Sequence, residues 1–240
     1  MNILVTGGAS GLGKSIVEHL AHDNKNNILF TYNNSLVAAV NIEKSFLNTK
    51  SAKCDFSKKE DVISLLEKIN SFNIDVLINN AFSGKIAKAH FHKNHISVFE
   101  NGFMNNILPV VRITQHAISI FRKKKYGKII TILSSALFEK PAIGWSEYIA
   151  TKAYLHSLSK SWAVENAAFN ITSNCISPAL MQTDLTADID ERILEEIISK
   201  HPLKKILSTE EVADAVIYLV NASQQINGSN LIINAAENVI

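Results

Sequence analysis

The chain has 240 residues, 47% of them hydrophobic and 19% charged, with a net charge of +2. These values suit one globular α/β core and give no basis for nucleic-acid or membrane-surface binding. Two cysteines, Cys54 and Cys175, make no disulfide framework and read as buried thiols of a reducing compartment. Along the chain, apolar runs alternate with amphipathic segments. Strands are expected at 2–6, 28–32, 51–54, 75–79, 128–134, 171–176 and 230–234. Helices are expected at 12–23, 35–48, 58–71, 96–124, 147–168 and 209–221, with a further helical excursion at 186–200. That alternation predicts α/β architecture: a doubly wound, mainly parallel seven-stranded sheet with helices on both faces. No linker, repeat or low-complexity block interrupts it, so one domain over 1–240 is expected. A strand expected from residue 2 leaves no room for a leader, and no apolar run approaches the roughly 18 residues of a membrane span. The expected location is cytoplasmic.

The first strand runs into Thr6-Gly7-Gly8-Ala9-Ser10-Gly11-Leu12-Gly13 and then a helical segment. Strand, glycine-rich turn and helix is the arrangement that cradles a pyrophosphate on a helix N-terminus. Further on, Tyr148 and Lys152 are spaced i, i+4 and share a helix face. A free phenol, with a pKa of about 10, is a poor base at neutral pH. An ammonium about 4 Å away contributes roughly 4 kcal/mol at an effective dielectric of about 20. The expectation is therefore that Lys152 lowers Tyr148 by about 3 units, into the range useful for proton transfer. Ser135 follows the apolar run Lys128 to Leu133, and parallel strands present functional groups at their carboxyl ends, so Ser135 is placed to bind the oxygen that Tyr148 protonates. The histidines at 90, 92 and 95 fall in a polar loop without a carboxylate or cysteine pattern and read as surface groups, so no metal is expected. Arg122-Lys123-Lys124-Lys125 reads as the solvated end of a helix, with contact to an acidic carrier protein or a phosphate as the alternative.

These motifs together resemble the short-chain dehydrogenase/reductase family. Its T-G-x-x-x-G-x-G, N-N-A-G, catalytic serine and Y-x-x-x-K stand in order at Thr6 to Gly13, Asn79-Asn80-Ala81, Ser135, and Tyr148 with Lys152. The resemblance runs from residue 2 to about 234 and implies a Rossmann-like fold. As catalytic residues it implies Asn106, Ser135, Tyr148 and Lys152, with Asn106 bending its helix and holding a water on the lysine. As cofactor contacts it implies Gly7, Ser10, Gly11, Leu12, Gly13, Asn33, Asp55, Phe56, Asn80, Ala81, Tyr148, Lys152, Pro178, Met181 and Thr183. An acid after the second strand would bind the ribose hydroxyl of NAD. Here Phe30-Thr31-Tyr32-Asn33-Asn34-Ser35 holds none, which favours NADP(H) over NAD(H). Three departures stand out: Phe82 for the glycine of N-N-A-G, Ala179 for the glycine after Pro178, and Asn234-Ala235-Ala236 for the usual Asp-Gly-Gly. Pro109 in a helix interior requires a hydrogen-bond ladder already broken there.

The resemblance implies an NAD(P)-dependent oxidoreductase that interconverts a carbonyl and an alcohol, with Tyr148 as general acid/base. The substrate would be a small carbonyl or alcohol, and a substrate loop is placed at about 183–205. A closer similarity to 3-oxoacyl-carrier-protein reductases is met by Phe169, which stands where a carrier-contacting arginine is expected. Sugars or other small ketones remain open as substrates, as does a non-catalytic nucleotide sensor on the same fold. A homodimer or homotetramer built on the helices at 96–124 and 147–168 is expected.

Overall fold

Seven apolar runs become the strands β1 (Asn2–Val5), β2 (Asn27–Tyr32), β3 (Thr49–Lys53), β4 (Val76–Asn79), β5 (Gly127–Ile132), β6 (Ile171–Pro178) and β7 (Asn230–Ile233). The coordinates are a computed structural model, and the structure describes residues 1–183, 186 and 189–239. All neighbouring strands pair parallel in the order β3-β2-β1-β4-β5-β6-β7. Every residue of β4, β5 and β6 is buried, as expected of parallel strands covered on both faces. Because side chains alternate along a strand, β1 sends Ile3 and Val5 to one face and Leu4 to the other. Ile3 and Val5 join a core with Ile16, Val17, Phe30, Ile78 and Val216. Leu4 joins the opposite core with Leu65, Ile69, Leu77, Ile113, Phe121 and Leu155.

The first core is covered by α1 (Gly11–Ala21) and α8 (Thr209–Asn221), the second by α3 (Lys59–Phe72), α5 (Leu108–Lys124) and α6 (Ser146–Asn166). The remaining helices are α2 (Leu36–Ser45), α4 (Ile96–Gly102) and α7 (Glu191–Lys200). Strand order reverses between β1 and β4, so their carboxyl ends open a crevice at the switch point.

Two expected elements differ in a way that bears on the site. The single helix expected over 96–124 is α4, a five-residue π turn at Phe103–Ile107, and α5. Pro109 then falls in the first turn of α5, where its missing N–H is harmless. The strand expected to reach residue 134 ends at Ile132, and Ser135–Leu137 form a 3₁₀ turn capped by the Ser134 side chain, which accepts from the Ala136 N–H at 3.3 Å. The helical excursion at 186–200 is α7, beginning at Glu191. That expectation and the loop reading over 183–205 fall partly on residues 184, 185, 187 and 188, outside the described residues.

Candidate active site

The carboxyl end of β1 delivers Thr6 into the glycine turn. The Thr6 hydroxyl oxygen accepts from the Asn80 and Ala81 N–H groups, each at 3.0 Å, and Asn80 Nδ2 donates to the carbonyls of Thr6 and Gly7 at 2.9 and 3.1 Å. The β1 and β4 turns are thereby locked together. Gly7 adopts φ +67°, and a Cβ on Gly13 would stand 1.9 Å from the Gly7 oxygen, so no side chain fits there. Ser10 precedes α1 in extended conformation and makes no side-chain cap bond. Ser10 and the first residues of this 11-residue helix line one groove, where the helix's first N–H groups have no intrahelical partner.

A groove of about 420 Å³ opens beside this turn. Of the expected cofactor contacts, Gly7, Ser10, Gly11, Leu12, Gly13, Asn33, Phe56, Asn80, Ala81, Tyr148, Lys152, Met181 and Thr183 line it. Asp55 and Pro178 do not. The Asp55 carboxylate accepts from the N–H and hydroxyl of Ser57 at 2.9 and 2.7 Å, which holds it below the usual carboxylate range. Pro178 stays in the sheet, in register with Ile233. The backbone at Ala179 avoids positive φ, so the lost glycine brings no strain there. Tyr32, Asn34, Ser35, Cys54, Ile132, Leu133 and the stretch Phe82 to Lys85 also line the groove. They stand at or just beyond strand ends, and that position is the signal that could have found them. No acidic residue lines the groove among the described residues, whereas Lys85 and Lys152 do. A glycine cradle, a helix N-terminus and an acid-free wall fit a phosphate-bearing dinucleotide.

Tyr148 and Lys152 lie on the inner face of α6, 7% and 5% exposed. Lys152 Nζ donates to the Ile132 carbonyl at 2.9 Å and lies 5.8 Å from the Tyr148 ring centroid. Burial pushes the Lys152 amine down from 10.5 to about 8. The expected lowering of Tyr148 is not found. Burial pushes its phenol up, offset in part by a hydrogen bond to the Ser134 side chain. The reason is physical: both groups are stripped of water, which disfavours the charged form of each, and the ammonium donates to a backbone carbonyl.

The Ser134 hydroxyl stands beside the Tyr148 phenol and works against that rise. Ser135 is buried in the 3₁₀ turn. Asn106 sits in the π turn with both ends of its amide on Ser83: Oδ1 accepts from the Ser83 N–H at 2.6 Å and Nδ2 donates to the Ser83 oxygen at 3.1 Å. The histidine reading ends with His95 Nδ1 accepting from the Ser97 N–H at 3.2 Å, capping α4. In the basic run, Lys124 pairs with Asp75, and the Arg122 guanidinium lies 4.4 Å from the centroid of the Phe169 ring.

A family model described as short chain dehydrogenase matches residues 1–194. A 3-oxoacyl-[acyl-carrier-protein] reductase from Buchnera aphidicola subsp. Schizaphis graminum is 31% identical over 237 residues, covering 96% of this chain and 94% of its own. An actinorhodin polyketide ketoreductase solved with NADPH superposes with a TM-score of 0.89 at 20% identity, covering 99% of this chain and 97% of its own. An NADPH-dependent reductase involved in bacilysin biosynthesis does so with a TM-score of 0.89 at 24% identity, covering 100% and 98%.

Proposed function

The chain belongs to the short-chain dehydrogenase family, as an NAD(P)-dependent oxidoreductase that interconverts a carbonyl and an alcohol, and on that premise we propose an NADP(H)-linked reductase in which Tyr148 exchanges the proton. The observation that carries this reading is the pairing of buried Tyr148 and Lys152, one helical turn apart, in the wall of the glycine-turn groove. The glycine turn and the N-terminus of α1 would hold the pyrophosphate, with Phe56 in the same groove wall available to the base. Ser10, Asn33, Asn34 and Ser35 offer neutral donors for a 2′-phosphate, and no acid in the groove repels it. When bound, the nicotinamide supplies or accepts the hydride.

The rest is done by the chain. Tyr148 gives its proton to the substrate oxygen in reduction and takes it back in oxidation. A phenol kept protonated by burial suits the acid role. Ser134 orients that oxygen, the role expected of Ser135. One N–H of the Lys152 ammonium is used on Ile132, leaving two for the ribose hydroxyls. Asn106 positions the turn at Ser83 that borders the groove, and Met181 and Thr183 close over the glycine turn, a Cβ on Gly11 lying 3.4 Å from Thr183.

A 3-oxoacyl thioester substrate is favoured by the Buchnera relative. Against carrier-protein delivery, Phe169 stands at the expected arginine position, under Arg122. We further read one domain over 1–240, a substrate loop at about 183–205 and a cytoplasmic location; no helix among the described residues is long and apolar enough to cross a membrane. The exposed Phe103, Met104 and Tyr154, of which Phe103 and Tyr154 pack 5.8 Å apart, support a homodimer or homotetramer built on these helices. The test is to supply NADPH or NADH with a 3-oxoacyl thioester, a cyclic ketone and a keto sugar, and follow the nicotinamide absorbance. Turnover of a ketone with NADPH supports the reading. Tight NADPH binding without turnover of any carbonyl would return the sensor alternative.

A further inference from the structure

The turn after β4 carries an aromatic ring where the family resemblance leads to glycine, and its backbone is held from both sides. Ala81 N–H is fixed on the Thr6 hydroxyl, and Ser83 is bound through both its N–H and its carbonyl by Asn106. From this clamp the Phe82 ring meets the Tyr148 ring edge-on, with centroids 5.3 Å apart at 73°. Its centroid also lies 5.4 Å from Lys152 Nζ, within the range of a cation–π contact. Trp145 closes the other flank of Tyr148, at 5.7 Å and 83°.

We propose that Phe82 is a positioning residue for the reaction, holding the Lys152 ammonium and the Tyr148 ring in place through one aromatic face and edge. The inference rests on the functional reading given above for Tyr148 and Lys152. Among the described residues Lys152 is a buried cation with no acid in its groove, and its hydrogen bond goes to a backbone carbonyl. Against it lie the Tyr148 ring from its own helix and the Ile132 carbonyl from β5, and the second cation lining the groove is Lys85. Besides that carbonyl oxygen, the ammonium meets two ring faces, Phe82 at 5.4 Å and Tyr148 at 5.8 Å, of which Phe82 is the nearer, and a ring face is at its strongest at a desolvated site. Helix spacing sets Tyr148 one turn from Lys152, and the edge contact with Phe82 fixes the orientation of its ring.

The test compares the wild type with Phe82→Leu, Phe82→Tyr and pentafluorophenylalanine at position 82, which keeps the ring's shape and inverts its charge distribution. The Lys152 proton affinity is read from the pH dependence of amine labelling by mass spectrometry, beside kcat and KM for an accepted ketone and urea stability. In the Leu and pentafluoro proteins the labelling midpoint is expected to fall by about 0.4 to 1.5 pH units. There kcat is expected to fall about 3- to 30-fold near neutral pH with KM changed less than about threefold, whereas Phe82→Tyr retains both. An unmoved midpoint in the pentafluoro protein overturns the proposal, as does a loss of kcat that only tracks a loss of stability. Should Phe82→Leu fail to fold, the pentafluoro protein decides. If the wild type turns over no ketone the oxidoreductase reading fails, and the labelling arm still decides the role of Phe82.

Discussion

Replacing Lys152 by methionine exposes how its burial couples to stability. The amine is pushed from 10.5 to about 8 in the folded chain. The unfolded chain therefore binds this proton more tightly, and stability rises with pH between about 8 and 10.5. Below pH 8 the folded state carries the full penalty, about 3 kcal/mol at about 1.36 kcal/mol per unit. By pH 10 it has dropped to about 1 kcal/mol. Lys152→Met removes this pH dependence and leaves the Ile132 carbonyl without its donor, a loss of about 1–3 kcal/mol that does not vary with pH. At pH 7 the variant is thus expected to equal or exceed the wild type by up to about 2 kcal/mol. Its advantage should then shrink by roughly 2–3 kcal/mol on going to pH 10. Burial pushes the thiols of Cys54 and Cys175 up to about 12 and about 11, which lowers stability at alkaline pH. Both thiols are common to the two proteins, so they cancel in the difference. Urea unfolding at matched concentration from pH 7 to pH 10 reads the effect. A difference that stays flat to within about 0.5 kcal/mol would refute the depressed lysine.

Ser134→Ala should lower kcat by about 10²- to 10³-fold while Ser135→Ala stays within a few-fold; steady-state kinetics giving the reverse order would restore Ser135. Ala235 and Ala236 hold φ of +50° and +61°, which for an L side chain is unfavourable by about 1–2 kcal/mol each. Ala236→Gly should therefore raise stability by about 0.5–1 kcal/mol after glycine's greater unfolded-state entropy is set against it, measured by urea unfolding; a loss would show that strain is relieved elsewhere. Asn33→Asp places a carboxylate in the groove and should shift the NADPH-to-NADH affinity ratio toward NADH by about tenfold or more. Fluorescence titration of both cofactors checks this, and an unchanged ratio would remove Asn33 from the 2′-phosphate site.

The alternation of apolar runs and amphipathic segments carried the fold, because a parallel sheet buried on both faces needs continuous apolar strands. The glycine turn was legible for a similar reason: close backbone approach at Gly7 and Gly13 admits no other residue. Side-chain aim was less legible. Tyr148 and Lys152 share a helix face as their spacing dictates, yet spacing says nothing of where an ammonium spends its hydrogen bonds, and the Ile132 carbonyl came from a distant strand. Ser134 and Ser135 are adjacent and chemically alike, so only the point at which β5 ends separates them. The break at the π turn was signalled by Pro109, whereas the amide of Asn106 closing on Ser83 required the tertiary fold.

Proton exchange at Tyr148 is the claim on which the rest depends, and Tyr148→Phe tests it most directly. The ring is kept, with its contacts to Phe82 and Trp145, while the proton is lost. Steady-state kinetics with an accepted ketone, paired with NADPH titration, should show kcat lower by about 10²- to 10⁴-fold with cofactor affinity changed only a few-fold. A variant that keeps more than about a tenth of wild-type turnover would contradict the assignment.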